Sequence, residues 1–226
     1  MDKTKVVSTE DILLTLCNSV VKVLNTATSR EIGYSPMIQK ITKTCLRPDI
    51  GCFVLFTGGF SGLVVLNFSS GAAMDIYRNY MINMGIPEEE LAAQYTSDDV
   101  ANVLGELMNQ IVGDFTGKVG KELQTSINQN QPKMLTINQQ VTMSIGTSLD
   151  RPQSRRVAFK TDSHNMFYLE LSMDKTEFIK LRDFEPDEDI DPDAIIANSG
   201  ATSSSTNNVV ADVDEIDDDF MDSLGI

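Results

Sequence analysis

Two side chains three positions apart offer the chain's clearest chemistry: a carboxylate at Glu106 and a carboxamide at Asn109. Residues that far apart on a helix are neighbours. The carboxamide both accepts and donates hydrogen bonds without carrying charge, which suits holding a water molecule beside an anion. The surrounding stretch, Asp98-Asp-Val-Ala-Asn-Val-Leu-Gly-Glu-Leu-Met-Asn-Gln-Ile-Val-Gly-Asp-Phe-Thr-Gly-Lys-Val119, has helical period. At about 100° per residue, Val100, Val103, Leu104, Leu107, Ile111, Phe115 and Val119 gather on one side as a core face. Glu106, Asn109 and Gly113 fall opposite, with Asn102 and Gln110 beside them. The helix also holds Gly105, Gly113, Gly117 and Gly120, each costing about 1 kcal/mol relative to alanine. Repeated glycine implies close approach, either by a helix of the same domain or by a docking partner. Spacing does not separate those two, and a plain solvated face gives the same Glu–Asn pattern.

The elements that position this helix can be read on either side of it. Ser8 or Thr9 caps an earlier helix whose first acids, Glu10 and Asp11, suit the dipole and whose stripe is Ile12, Leu13, Leu16, Val20, Val23 and Leu24. A strand is predicted from Pro36 to Leu46, with Met37, Gln39, Ile41, Lys43 and Cys45 on one face. Two apolar strands, Cys52–Thr57 and Leu63–Phe68, are joined by Gly58-Gly-Phe-Ser-Gly62, a hairpin loop. That loop is no phosphate-binding P-loop, because no Gly-Lys-Ser/Thr follows and the next element is a strand. Ser69 or Ser70 caps a helix over about 71–84, which Gly85-Ile-Pro87 stops, and a helical turn is expected at Glu88–Leu91. The long helix runs from about Asp98 to Leu123. Strands are predicted near Leu135–Ile145, Arg155–Thr161 and Met166–Met173, with turns at 146–154 and 162–165. This order implies an α/β (α+β) domain with a mainly antiparallel sheet and long helices on one side.

Charge is distributed unevenly. Fourteen of the 33 acids lie beyond Arg182, where no Lys or Arg stands, so the body holds 19 acids against 18 bases. No basic patch invites nucleic acid, and the acidic tail repels phosphates. The apolar runs are too short for membrane insertion, and no signal peptide is evident. Cys17, Cys45 and Cys52 lack metal spacing and read as buried small residues in a reducing compartment, so a cytoplasmic location is expected. The sole histidine, His164, is expected on a surface turn, and no Gly-x-Ser-x-Gly elbow supports nucleophilic hydrolysis.

Gly-Glu106-Leu-Met-Asn109-Gln-Ile-Val-Gly113 resembles the Glu-x-x-Asn-x-x-x-Gly signature of the CheX/CheC family of chemotaxis phosphatases. Phe56-Thr-Gly-Gly-Phe-Ser-Gly-Leu-Val-Val-Leu66 is similar to the family's hairpin ahead of its helices. The likeness covers roughly residues 10–173. It is looser at Asn130-Gln-Pro-Lys-Met-Leu-Thr136, where the family has an apolar or Pro-Thr-rich strand. A single signature copy is CheX-like, whereas CheC carries two. The resemblance implies a CheC-like domain that hydrolyses the aspartyl phosphate of a CheY-like response regulator. It gives Asn109 the attacking water and Glu106 a clamp on the receiver's active-site lysine. Asn102, Gln110 and Gly113 then belong to the docking face. The chain would need no cofactor of its own, Mg2+ being supplied by the partner receiver. Such an acyl phosphate is already activated, so positioning an in-line water is the main task. Homodimers through strand exchange are also a property of the family.

Residues 183–212 are acidic, then Ser/Thr/Asn-rich, and are expected to be a disordered linker. Residues 213–226 regain an apolar period at Val213, Ile216, Phe220 and Leu224, one face of a short acidic helix. Such a segment reads as a peptide that folds into a partner's groove, the alternative being a solubilising acidic tail. Its Asp222-Ser223-Leu224-Gly225 ending resembles the tail by which the chemotaxis phosphatase CheZ holds CheY. The expected organisation is a CheX-like domain over 1–182, a linker over 183–212 and a response-regulator-binding peptide over 213–226. Two other readings stand beside the phosphatase. One is a non-catalytic adaptor that binds or sequesters a phosphorylated receiver. The other is a small-ligand binder at the glycine-rich hairpin, for which no converging polar residues are seen.

Overall fold

The computed structural model describes residues 6–143, 152–174 and 177–179. The linker, the terminal amphipathic segment and most of the turn expected at 146–154 lie outside the described residues.

Helix α1 (Thr9–Thr28) starts where its cap dictates. Ser8 Oγ accepts the Asp11 N–H at 3.3 Å, while the Asp11 carboxylate accepts from Ser8 N at 2.9 Å. This reciprocal pair satisfies two donors that would otherwise be orphaned. Ile12, Leu13, Leu16, Val20 and Leu24 are buried as expected, with Val23 at the margin.

The predicted strand Pro36–Leu46 is two strands, β2 (Gly33–Ile41) and β3 (Thr44–Leu46), separated by a bend at Thr42 and Lys43. The predicted strand Leu135–Ile145 is likewise divided into β7 (Lys133–Thr136) and β8 (Val141–Met143). Both divisions have one cause. Strands β4 (Ile50–Gly58) and β5 (Gly62–Phe68) are apolar on both faces. Cys52, Val54, Phe56, Val64, Leu66 and Phe68 face the helices, while Phe53, Leu55, Leu63 and Val65 face the other way with Leu46, Ile137 and Met143. β3 and β8 leave the main sheet and pair with each other to cover that second face. A one-dimensional apolar pattern does not reveal such a change of sheet.

The main sheet is antiparallel, in the order β2-β9-β10-β5-β4-β6, with β7 also on β4. Its further members are β6 (Ile127–Gln129), β9 (Gln153–Lys160) and β10 (Met166–Met173). β1 (Val6–Val7) and β11 (Phe178–Ile179) form a separate ribbon. Pro36 is tolerated because β2 is an edge strand, paired among the described residues only with β9 and irregular between Tyr34 and Ile38.

The helices lie on one side of the sheet. Helix α2 (Ser70–Asn83) is capped by Ser69, whose Oγ accepts from Ala72 N at 3.2 Å. A 3-10 turn follows at Glu88–Glu90. Helix α3 (Asp98–Leu123) is capped by Ser97 and buries Val100, Leu104, Leu107, Met108, Ile111, Val112, Phe115 and Val119. Met108 and Val112 widen the expected stripe, and Val103 is only half-buried. The widening follows from α3 being packed on several sides, since it meets the sheet, α1 and α2. No helix among the described residues is long and apolar enough to cross a membrane.

Candidate functional site on helix α3

Asn102, Glu106, Asn109, Gln110 and Gly113 all lie on the exposed side of α3. Asn102 stands one turn before Glu106. Gln110 Nε2 donates to Glu106 Oε1 at 3.0 Å, an i,i+4 contact that aligns the carboxylate along the helix. Asn109 is held from outside the helix. Gln129 Nε2, from β6, donates to Asn109 Oδ1 at 3.0 Å and to the Asn109 carbonyl at 3.4 Å. Thr116 Oγ1 has one proton to share between the Gly113 carbonyl at 3.3 Å and Gln129 Oε1 at 3.4 Å.

Neither β6 nor Gln129 was legible beforehand. The run Gln124-Thr-Ser-Ile-Asn-Gln-Asn-Gln131 has no apolar alternation, so it carries no strand signal. The strand forms because α3 ends in a tight reversal. Gln124 takes the left-handed conformation (φ 52°, ψ 43°) and its N–H bonds the Gly120 carbonyl. The returning chain then pairs with β4, with Phe56 opposite Gln129. The hairpin glycines make room for it. A Cβ on Gly58 would stand 2.0 Å from the Ser126 carbonyl oxygen, and one on Gly59 would stand 2.1 Å from Thr125 Oγ1. The Gly-Gly of the hairpin is therefore a packing requirement of the strand that carries Gln129.

The helix glycines divide into two kinds. A Cβ on Gly120 would meet the Thr125 carbonyl oxygen at 3.0 Å, so packing within the domain accounts for it. At Gly113 and Gly117 a Cβ would meet no described atom within 4 Å. Intradomain crowding explains neither of those two, and they leave a strip of bare backbone one turn beyond Asn109.

Beside this strip, Asp114 faces α1. Lys22 Nζ approaches its carboxylate at 2.6 Å, and Lys118 approaches it from one turn along α3. Burial alone would raise this carboxyl group, but hydrogen bonds from Lys118, Lys22 and Ser19 outweigh it and hold Asp114 at about 2. The seam between α1 and α3 is thus tied by charge next to the candidate site.

Among the described residues no group of three or more His, Cys, Asp or Glu could hold a metal ion. His164 lies exposed in the turn between β9 and β10, in the left-handed region at φ 64°. Cys17, Cys45 and Cys52 are free and buried.

Solved structures with this fold include a chemotaxis protein CheX from Desulfovibrio desulfuricans. It is 17% identical with a TM-score of 0.58, over 73% of this chain and 99% of that one. A chemotaxis protein from Desulfovibrio vulgaris Hildenborough, assigned provisionally as such, is 14% identical with a TM-score of 0.60, over 74% and 99%. A third, described as a CheX-CheY-BeF3-Mg+2 complex from Borrelia burgdorferi, is 15% identical with a TM-score of 0.54, over 73% and 98%. These likenesses establish a CheX/CheC-like fold. Among curated proteins nothing matches the sequence. A family model does match, over residues 3–226, and the chain belongs to that family, described as protein of unknown function (DUF3334).

Proposed function

We propose that this protein is a phosphatase for the aspartyl phosphate of a CheY-like response regulator. The observation that carries the reading is the exposed Glu106–Asn109 pair on α3, set one turn from backbone left bare at Gly113 and Gly117. That face admits another protein closely and presents it with a carboxamide and a carboxylate. The partner is suggested by a solved protein of the same fold, described as a complex of CheX with CheY.

In this reading Asn109 holds the attacking water. Its Oδ1 accepts from Gln129, which leaves the second lone pair to take a water proton. Its Nδ2 donates toward the phosphoryl oxygens, and no charge opposes them. Glu106 leaves Gln110 and clamps the receiver's active-site lysine through a charge-assisted hydrogen bond. The attacking water, phosphorus and departing aspartyl oxygen lie in line, so catalysis consists of positioning and charge stabilisation. Mg2+ comes from the receiver's acidic pocket. Residues 213–226, through which the family match continues, bind a separate surface of the receiver. The linker then sets an effective concentration of about millimolar at the phosphoryl site.

The test is the decay of a phosphorylated CheY-type receiver from the same organism. Wild type should accelerate decay, and Asn109→Ala should lose about 10²-fold of that acceleration or more while still binding. A chain ending at Arg182 should be impaired chiefly at low receiver concentration. Binding without acceleration by any variant would instead identify an adaptor.

A further inference from the structure

We infer that Gln129 is a positioning residue that sets the orientation of the Asn109 carboxamide, an inference that rests on the reading of Asn109 given above. An asparagine on an exposed helix face is free to rotate about both side-chain torsions, and a rotating amide does not hold a water in line. Here the rotation is removed by a directional relay. The Asn109 main-chain carbonyl can only accept, so the Gln129 amide turns its NH2 toward Asn109 and its Oε1 toward Thr116, whose single hydroxyl proton is shared between that oxygen and the Gly113 carbonyl. That NH2 donates to Asn109 Oδ1 at 3.0 Å and reaches the Asn109 carbonyl at 3.4 Å. Asn109 must then turn its oxygen toward β6 and its own NH2 away from it. The polarity of the Asn109 amide is thus fixed through Gln129, which the Asn109 main-chain carbonyl orients.

The relay is anchored at both ends. Gln129 sits opposite Phe56 in the β4–β6 pair. Phe56 is buried and packs edge-on to Phe115 of α3, with ring centroids 5.7 Å apart. The strand carrying Gln129 and the helix carrying Asn109 are therefore clamped through one aromatic contact, and the distance between the two amides is set by the core. A pre-set rotamer spares the reaction the loss of side-chain freedom at the moment of attack.

The test uses the full chain and the variants Gln129→Leu and Thr116→Val. In the protein alone, 15N relaxation of the Asn109 side-chain NH2 should show an ordered group in wild type. It should become markedly more mobile in Gln129→Leu and partly so in Thr116→Val. With a phosphorylated receiver, Gln129→Leu should lower kcat about fivefold to tenfold, the worth of one net hydrogen bond, with KM unchanged. In an Asn109→Ala background the same substitution should change nothing further. An Asn109 amide that stays ordered in both variants would overturn the inference. So would a Gln129→Leu defect in KM that persists in Asn109→Ala, since Gln129 would then touch the partner directly. If Gln129→Leu disturbs folding, Thr116→Val leaves the β4–β6 register intact and gives the same relaxation readout. If wild type fails to accelerate receiver decay, the phosphatase reading falls, while the relaxation measurement still decides whether Gln129 orients Asn109.

Discussion

At Asp114, two lysines and a serine outweigh burial, and the folded carboxyl group sits below its ordinary 3.8 at about 2. A depressed folded value means that the ionised form stabilises the fold. The contribution is whole above the unfolded value and is lost as pH falls from about 3.8 toward about 2. Asp114→Asn should therefore lower stability at neutral pH by on the order of 1 kcal/mol. It should also flatten the decline of stability between those two pH values, as denaturant titrations at a series of pH values will show. Glu10 adds to the same acid sensitivity, its carboxyl being lowered chiefly by a hydrogen bond from Arg155. The thiols behave oppositely. Burial pushes Cys17 up to about 12 and raises Cys52 as well. Both should resist a thiol reagent at pH 8 while the protein is folded and react once it is unfolded. The burial of Cys17 and Cys52 was legible in the sequence because each stands within an apolar pattern, and that of Cys45 from its residue type within a predicted strand. The pairing of Asn109 with Gln129 was not, because it joins two polar residues from different elements.

At the scale of the element, α3 holds a conflict that its sequence announced and its surroundings resolve. Glycine weakens a helix, yet a Cβ at Gly113 or Gly117 would meet no described atom within 4 Å. Gly113→Ala should consequently stabilise the protein, by up to about 1 kcal/mol. If the face docks a receiver, Gly113→Leu should weaken receiver binding through its added bulk. Thermal melts and a binding titration on the same samples separate the two effects, and unimpaired binding by Gly113→Leu would remove Gly113 from the docking face. The starts of α1 and α2 were readable because Ser8 and Ser69 stand among the caps expected for them, and that of α3 because Asp98 and Asp99 open its helical period. β6 was hidden because its three residues are polar or half-buried and owe their pairing to the reversal at Gln124.

Across the whole molecule, the β4–β5 part of the sheet is covered on both faces, by helices on one and by the β3–β8 pair on the other. The second cover is tied down by polar contacts. Glu170, fully buried on β10, accepts from Arg156 Nε at 2.8 Å and Nη2 at 2.7 Å, and from Cys45 N of β3 at 2.8 Å. Asn67 Oδ1 accepts from Arg47 N, and Asn67 Nδ2 donates to the Cys45 carbonyl. Glu170→Ala would leave a largely buried guanidinium without its carboxylate and release β3, costing about 3 kcal/mol in a urea titration. The fold class was readable from the order of elements, and the solved CheX-like structures share it. The division of two predicted strands between sheets was not, because it depends on which surface a distant hairpin leaves uncovered. The outer face of α3 is tested by the decay rate of a phosphorylated CheY-type receiver with wild type and with Asn109→Ala. Acceleration by wild type that disappears in a folded Asn109→Ala, with binding retained, is the predicted result. Equal decay rates with the two proteins would contradict it.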